Sequence, residues 1–202
     1  MTAATATLRA DAKVIGLVGV IHGLSHFFHL ATAPLFPFMK EELGVGFVEL
    51  GAVIATFYVV SGVAQTAAGF VVDRLGARTI LAAGLGLYAV GLALLGLAPS
   101  YALLFVGAAV AGLGNSVFHP ADFALLNAKV SVPRLGPAFS VHGIAGNLGF
   151  ALAPVVVVPV ALATSWRVAL LACAGLACAW AVVVVAQPAL RTPRPPAAPA
   201  DV

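Results

Sequence analysis

"GFVVDRLGAR" occupies residues 69–78 and sets Asp73, Arg74 and Arg78 between two long apolar runs. Such charges are scarce elsewhere: Asp, Glu, Lys and Arg make up 8% of the 202 residues, 62% are hydrophobic, and the mean hydropathy is +1.09. A water-soluble domain carries about a quarter charged residues. A chain this poor in charge cannot cover its surface against water, so its solvent is lipid. The stretch at 69–78 is then a place where the chain leaves the apolar phase, and the runs beside it are membrane spans.

Working outward, an apolar run of about 20 residues crosses a bilayer as a helix. Six such runs fit, at 14–38, 47–72, 79–98, 101–126, 137–162 and 166–187. The breaks between them are "MKEELGVG", "DRLGAR", "APS", "NAKVSVPRLGP" and "TSWR", which hold the charges, Gly and Pro that a span interior resists. The pattern predicts an all-α membrane protein with a six-span bundle over 14–188. Residues 1–13 are expected to be a polar cytoplasmic segment, because "MTAATATLRADAK" does not read as a signal peptide. Residues 189–202, rich in Pro and Ala, are expected to be a disordered cytoplasmic tail. Gly- and Ala-rich stretches such as "AGLGLYAVGLALLGLA" allow the close approach by which membrane helices pack.

Charge sets the direction. With the amino end inside, cytoplasmic segments hold Arg9, Lys13, Arg74, Arg78, Lys129, Arg134, Arg191 and Arg194, against only Lys40 and Arg167 on the other side. The positive-inside rule then places both termini in the cytoplasm, as expected for a multi-pass protein of a bacterial inner membrane. The net charge of +3 is spread without a basic patch, so no nucleic-acid partner is expected. Cys173 and Cys178 lie on different faces of an apolar run and read as small core residues. No nucleophile–base pair or phosphate loop appears, so neither enzymatic activity nor a cofactor is expected.

The two halves of the chain echo each other. "SHFFH" (25–29) in span one resembles "SVFH" (116–119) in span four, and "SGVAQ" (61–65) in span two sits where "HGIAG" (142–146) falls in span five. Three spans followed by three spans have opposite membrane orientation, which is the 3+3 inverted repeat of secondary transporters. The loop carries a more specific pattern, G-x-x-x-D-R-x-G-x-R, at Gly69, Asp73, Arg74, Gly76 and Arg78. It resembles the signature loop of the major facilitator superfamily, after the same span. Physically, Gly69 and Gly76 allow close helix contact and a tight turn, and Asp73 can face a helix N-terminus. A narrower resemblance lies in "GLGNSVFHPADF" (112–123) and "FSVHGIAGNLGFALAP" (139–154). There Ser116, Val117, Phe118, His119 and Pro120 are similar to the fosmidomycin-resistance type of drug-exporting facilitator, with the acid, Asp122, one place late.

The resemblance implies the amino-terminal six-helix half of a twelve-span fold. It implies a secondary transporter of a small solute that works by alternating access and pairs with a second six-helix half, an identical chain being the simplest partner. In that fold spans one, two, four and five of each half line the cavity. The polar residues of this sequence lie there: His22, Ser25, His26 and His29 on span one, Ser61 and Gln65 on two, Asn115, His119 and Asp122 on four, and His142 and Asn147 on five. His22, Ser25, His26 and His29 fall within an arc of about 100° that rises about 10 Å.

Three readings fit the stripe. The imidazoles can be neutral and satisfied locally, can handle protons or bind substrate, or, as i/i+4 ligands at His22, His26 and His29, can carry a transition metal. A membrane subunit without transport of its own is a further alternative. Asp122 is expected to pair with Arg74 or Arg78 rather than to bind substrate. With no acid near the midplane, histidine would have to carry any coupled proton. Pro120 is expected to kink span four.

Overall fold

The structure, a computed structural model, describes residues 3–191. Eight α-helices follow one another: α1 (Ala3–Ala31), α2 (Phe36–Leu43), α3 (Phe47–Leu75), α4 (Ala77–Leu97), α5 (Tyr101–Asn115), α6 (Phe118–Lys129), α7 (Leu135–Ala163) and α8 (Trp166–Ala186). They make six rods long and apolar enough to cross a membrane, Thr7–Leu43, Phe47–Leu75, Ala77–Leu97, Tyr101–Lys129, Val132–Ala163 and Trp166–Ala186. There is no strand among the described residues.

Two rods are each built from two helices, and proline gives the reason. Proline lacks an N–H and disfavours helical backbone just before it. Pro34 lies within the 3₁₀ turn Ala33–Leu35 that joins α1 to α2, and Pro37 lies in the first turn of α2. Pro120, in the first turn of α6, follows the break at Ser116–Val117. The first rod therefore runs on to Leu43, so "MKEEL", expected as a loop, is helical. Its Glu42 accepts from Trp166 Nε1 (2.6 Å) and Arg167 Nε (2.8 Å), and Arg167 also donates to the carbonyls of Gly96 (3.1 Å) and Ala98 (2.7 Å). This pins three rods together at one end.

The opposite, basic end is tied as well. Asp11 is buried and accepts from Ser131 N (3.2 Å), Ser131 Oγ (2.6 Å) and Arg134 Nε (2.7 Å). The segment expected as a polar lead, 1–13, is thus mostly the first turns of α1. At the other terminus, where a disordered tail was expected from 189, Pro188–Leu190 form a 3₁₀ turn with Leu190 buried; residues 192–202 lie outside the described ones. Cys173 is buried and Cys178 exposed, both as free thiols, so only the first behaves as a core residue.

Rod three packs closely against rod four (α4 with α5), and the other main contacts form three pairs: one against five (α1 with α7), two against four (α3 with α5) and three against six (α4 with α8). Exchanging one with four, two with five and three with six returns the same three pairs, as a 3+3 inverted repeat requires. Small residues set the spacing: a Cβ on Gly149 of α7 would fall onto the carbonyl oxygen of Gly23 of α1. Large apolar side chains such as Val59, Phe70, Val155 and Val182 point outward, as lipid allows.

Candidate functional site

The α1–α7 contact decides where the histidine stripe points. His22, 2% exposed, is turned into the bundle, where its ring stacks on His142 of α7 with centroids 3.5 Å apart and 21° between planes. Both rings meet Asp122 of α6, which is 0% exposed: Oδ2 lies 3.1 Å from His22 Nδ1 and 3.2 Å from His142 Nε2. A carboxylate oxygen accepts from whichever imidazole nitrogen carries its hydrogen, so the tautomer of each ring sets the donor here. His119, three residues before Asp122 on α6, stands edge-on to His22 with centroids 5.1 Å apart.

His26 and His29 continue the stripe into a cavity of about 240 Å³. It is lined by Ser25, His26 and His29 of α1, Tyr58, Ser61 and Gln65 of α3, and Asn115, Phe118 and His119 of the fourth rod. Phe150 covers His26 at 4.4 Å, and Phe57 and Tyr58 each stand 4.8 Å from His29. Behind the wall a chain of hydrogen bonds fixes the donors: Tyr88 Oη donates to Asn115 Oδ1 (3.0 Å), and Asn115 Nδ2 donates to Ser61 Oγ (2.7 Å). Ser25 is turned back to the carbonyl of His22 (2.8 Å). Three polar atoms are buried without a hydrogen-bond partner among the described residues: His26 Nδ1, His29 Nε2 and Asp122 Oδ1. Such atoms are costly unless something else meets them.

The expected residues divide accordingly. His22, His119 and His142 gather around Asp122, whereas Ser25, His26, His29, Gln65, Asn115 and His119 line the cavity. Asn147 does neither; it is exposed on α7. The expected pairing of Asp122 with Arg74 or Arg78 is not found. The sequence reading ended span four at 126, but α6 continues to Lys129, which puts Asp122 about two turns, or about 10 Å, inside the rod. Asp122 is nonetheless buried among the helices, on the cytoplasmic side of the rod's middle expected from the charge count. The metal alternative through His22, His26 and His29 is also redrawn: among the described residues, the His, Cys, Asp or Glu trio whose ligand atoms lie within 4.8 Å of one another is His22, His119 and His142. In the loop, Gly76 makes the turn with φ of +85°, and Arg78 donates to the carbonyl of Val185 (2.9 Å). Asp73 and Arg74 are exposed, α4 has no side-chain cap, and a Cβ on Gly69 would meet nothing within 4 Å. Gly69 therefore makes no close contact inside this chain.

Tyr88 and Tyr58 escaped the sequence reading. Span three was expected to carry almost nothing polar, yet Tyr88 is fully buried there and braces Asn115. The signal was present, since a tyrosine in an otherwise apolar span needs a partner for its hydroxyl.

The sequence pattern of the Major Facilitator Superfamily matches residues 15–201. The chain belongs to this superfamily. It is 30% identical over 190 residues to the fosmidomycin resistance protein of Escherichia coli (strain K12), covering 92% of this chain and 45% of that protein. It is 27% identical over 169 residues to the galacturonate transporter of Dickeya chrysanthemi, covering 84% and 49%. A crystal structure of the peptide transporter POT (E310Q mutant) in complex with sulfate superposes with a TM-score of 0.71 at 22% identity, over 86% of this chain and 36% of that one, a likeness of fold alone. The chain thus spans less than half the length of these curated relatives. It is an integral, multi-pass member of the superfamily, and several of its relatives are transporters by name.

Proposed function

We propose that this facilitator chain is one six-helix half of a secondary transporter that moves a small organic anion by alternating access. The observation that carries the substrate class is the wall of the 240 Å³ cavity. It presents imidazoles, hydroxyls and amides, and no carboxylate among the described residues lines it. Asp122, the nearest acid, is turned to His22 and His142. Donor-rich walls with cationisable rings favour anions and penalise cations. The Dickeya relative is by name a transporter of galacturonate, a carboxylate at neutral pH, which agrees with that reading.

The histidine–carboxylate cluster supports coupling to protons. A buried carboxylate is expensive alone and is balanced when a neighbouring imidazole is charged. Asp122 between His22 and His142 can hold one proton and release it when the bundle opens to the other side, so the acid shares the role first given to histidine alone. The cavity lies on the face of rods one, two and four, and a second six-helix half would close it. The eight-to-two charge count supports an inner-membrane protein with both termini cytoplasmic.

The test is flux into proteoliposomes of the purified chain. Galacturonate and other small carboxylates should enter against polyol and organic-cation controls, and faster under an imposed pH gradient. Preference for a neutral or cationic solute overturns the substrate class, and flux indifferent to the pH gradient overturns the coupling.

A further inference from the structure

We propose that His22, His119 and His142 form a binding site for one divalent transition-metal ion of the Zn²⁺ or Co²⁺ type. The inference stands apart from the transport reading, since it concerns binding and needs no second half. Three imidazoles from three rods bring their ligand atoms within 4.8 Å of one another. In a tetrahedral site with Zn–N of about 2.0–2.1 Å the nitrogens stand roughly 3.3 Å apart, so they have to close by up to about 1.5 Å as the rings turn toward the ion. Imidazole nitrogen is a preferred ligand of these ions. A tetrahedral metal leaves one further position to water or an oxygen ligand.

Asp122 supplies the second, independent observation. Metal-bound histidines commonly give their other ring N–H to a carboxylate, which fixes the tautomer and turns the lone pair toward the ion. Asp122 already contacts two of the three rings, at 3.1 and 3.2 Å. Its Oδ1 is buried with no hydrogen-bond partner among the described residues, so the carboxylate has acceptor capacity left for the N–H of a reoriented ring. Space is kept by Gly146, where a Cβ would stand 3.0 Å from His22 Nε2. Loading the site requires the 3.5 Å stack of His22 on His142 to open, since parallel rings do not aim two lone pairs at one point. Charge favours the exchange, because a dication offsets the buried carboxylate.

The stripe on α1 is the competing ligand set, and it separates cleanly by mutation. The purified chain, with any affinity tag removed and stripped with chelator in mild detergent, is titrated with Zn²⁺ by calorimetry and with Co²⁺ by visible absorption. One ion per chain should bind, with the intense absorption of four-coordinate Co²⁺. His119→Ala should weaken binding tenfold or more, and Asp122→Asn by about 10- to 100-fold, the usual effect of an outer-shell partner. His29→Ala should bind like the parent. Helix content and elution volume report folding, and His119→Gln serves if the alanine variant aggregates. A parent that binds no Zn²⁺, or a His119 variant that binds as well as the parent, overturns the site. Loss in His29→Ala equal to that in His119→Ala overturns this ligand set in favour of the stripe. Because the readout is binding in detergent, it can fail while anion flux persists, and the reverse.

Discussion

Asp122 is the residue on which the bundle's chemistry turns. It is fully buried and lies within hydrogen-bond distance of two imidazoles. Removing it with Asp122→Ala leaves two buried ring nitrogens unmet, each costing about 1–3 kcal/mol. Asp122→Asn keeps an acceptor oxygen in the same place but cannot take up a proton. The alanine variant should therefore lower the thermal midpoint in detergent clearly more than the asparagine variant. The asparagine variant should keep substrate binding while its flux loses pH dependence. If Asp122→Asn responds to pH like the parent, protons are held elsewhere. At the basic end Asp11 plays a structural part, gathering Ser131 and Arg134. Nothing in its surroundings opens to the cavity.

Among elements, the α1–α7 pair is the most demanding, because it carries His22 against His142. A Cβ added at Gly149 meets the Gly23 carbonyl, a backbone atom that cannot swing aside, whereas at Gly143, on another face of the same helix, it meets nothing within 4 Å. Overpacking of this kind costs about 1–3 kcal/mol. Replacing a helical glycine in open space gains about 0.5–1 kcal/mol. Gly149→Ala should thus lower the thermal midpoint and shift the His22–Asp122–His142 contact, while Gly143→Ala should leave the midpoint level or raise it. Equal effects at the two positions would mean that α1 and α7 do not approach so closely. The broken rods follow the same logic. Pro120 frees the carbonyl of Ser116 and lets α6 take its own direction, which brings His119 and Asp122 on one helix to His22.

At the scale of the whole molecule, the question is what covers the cavity. Tyr58 on rod two and Asn147 on rod five are exposed, as are Val90 on rod three and Val182 on rod six. If two halves close around the site, the first pair faces a partner and the second faces lipid. In a background with Cys173 and Cys178 replaced by Ala, single cysteines at Tyr58 and Asn147 should crosslink between chains, whereas those at Val90 and Val182 should not. In the same background an impermeant thiol reagent applied to intact cells should label Lys40→Cys and should reach Arg78→Cys only after permeabilisation. Crosslinking confined to Val90 and Val182 would reverse the assembly, and external labelling at Arg78 would reverse the orientation.

Composition alone settled the solvent, because 8% charge cannot clothe a fold in water. Periodic breaks then marked six spans, and the loop at 69–78 named the family, since each of these is a local property of the chain. The list of polar side chains on rods one, two, four and five was legible for the same reason: ionisable residues in apolar runs stand out wherever they point. Their grouping was not. Whether His22 meets His26 along its own helix, or His142 and Asp122 from two others, depends on where α6 ends and on how closely Gly149 lets α7 approach α1. Asp122 read as the partner of a loop arginine near the end of span four, and Tyr88 read as packing, because neither His142 nor Asn115 is their neighbour in sequence. Hydropathy is summed over neighbours in sequence, so it places helices in the membrane. Hydrogen bonds and metal ligands need atoms about 3 Å apart in space, and only the packed bundle decides which atoms those are.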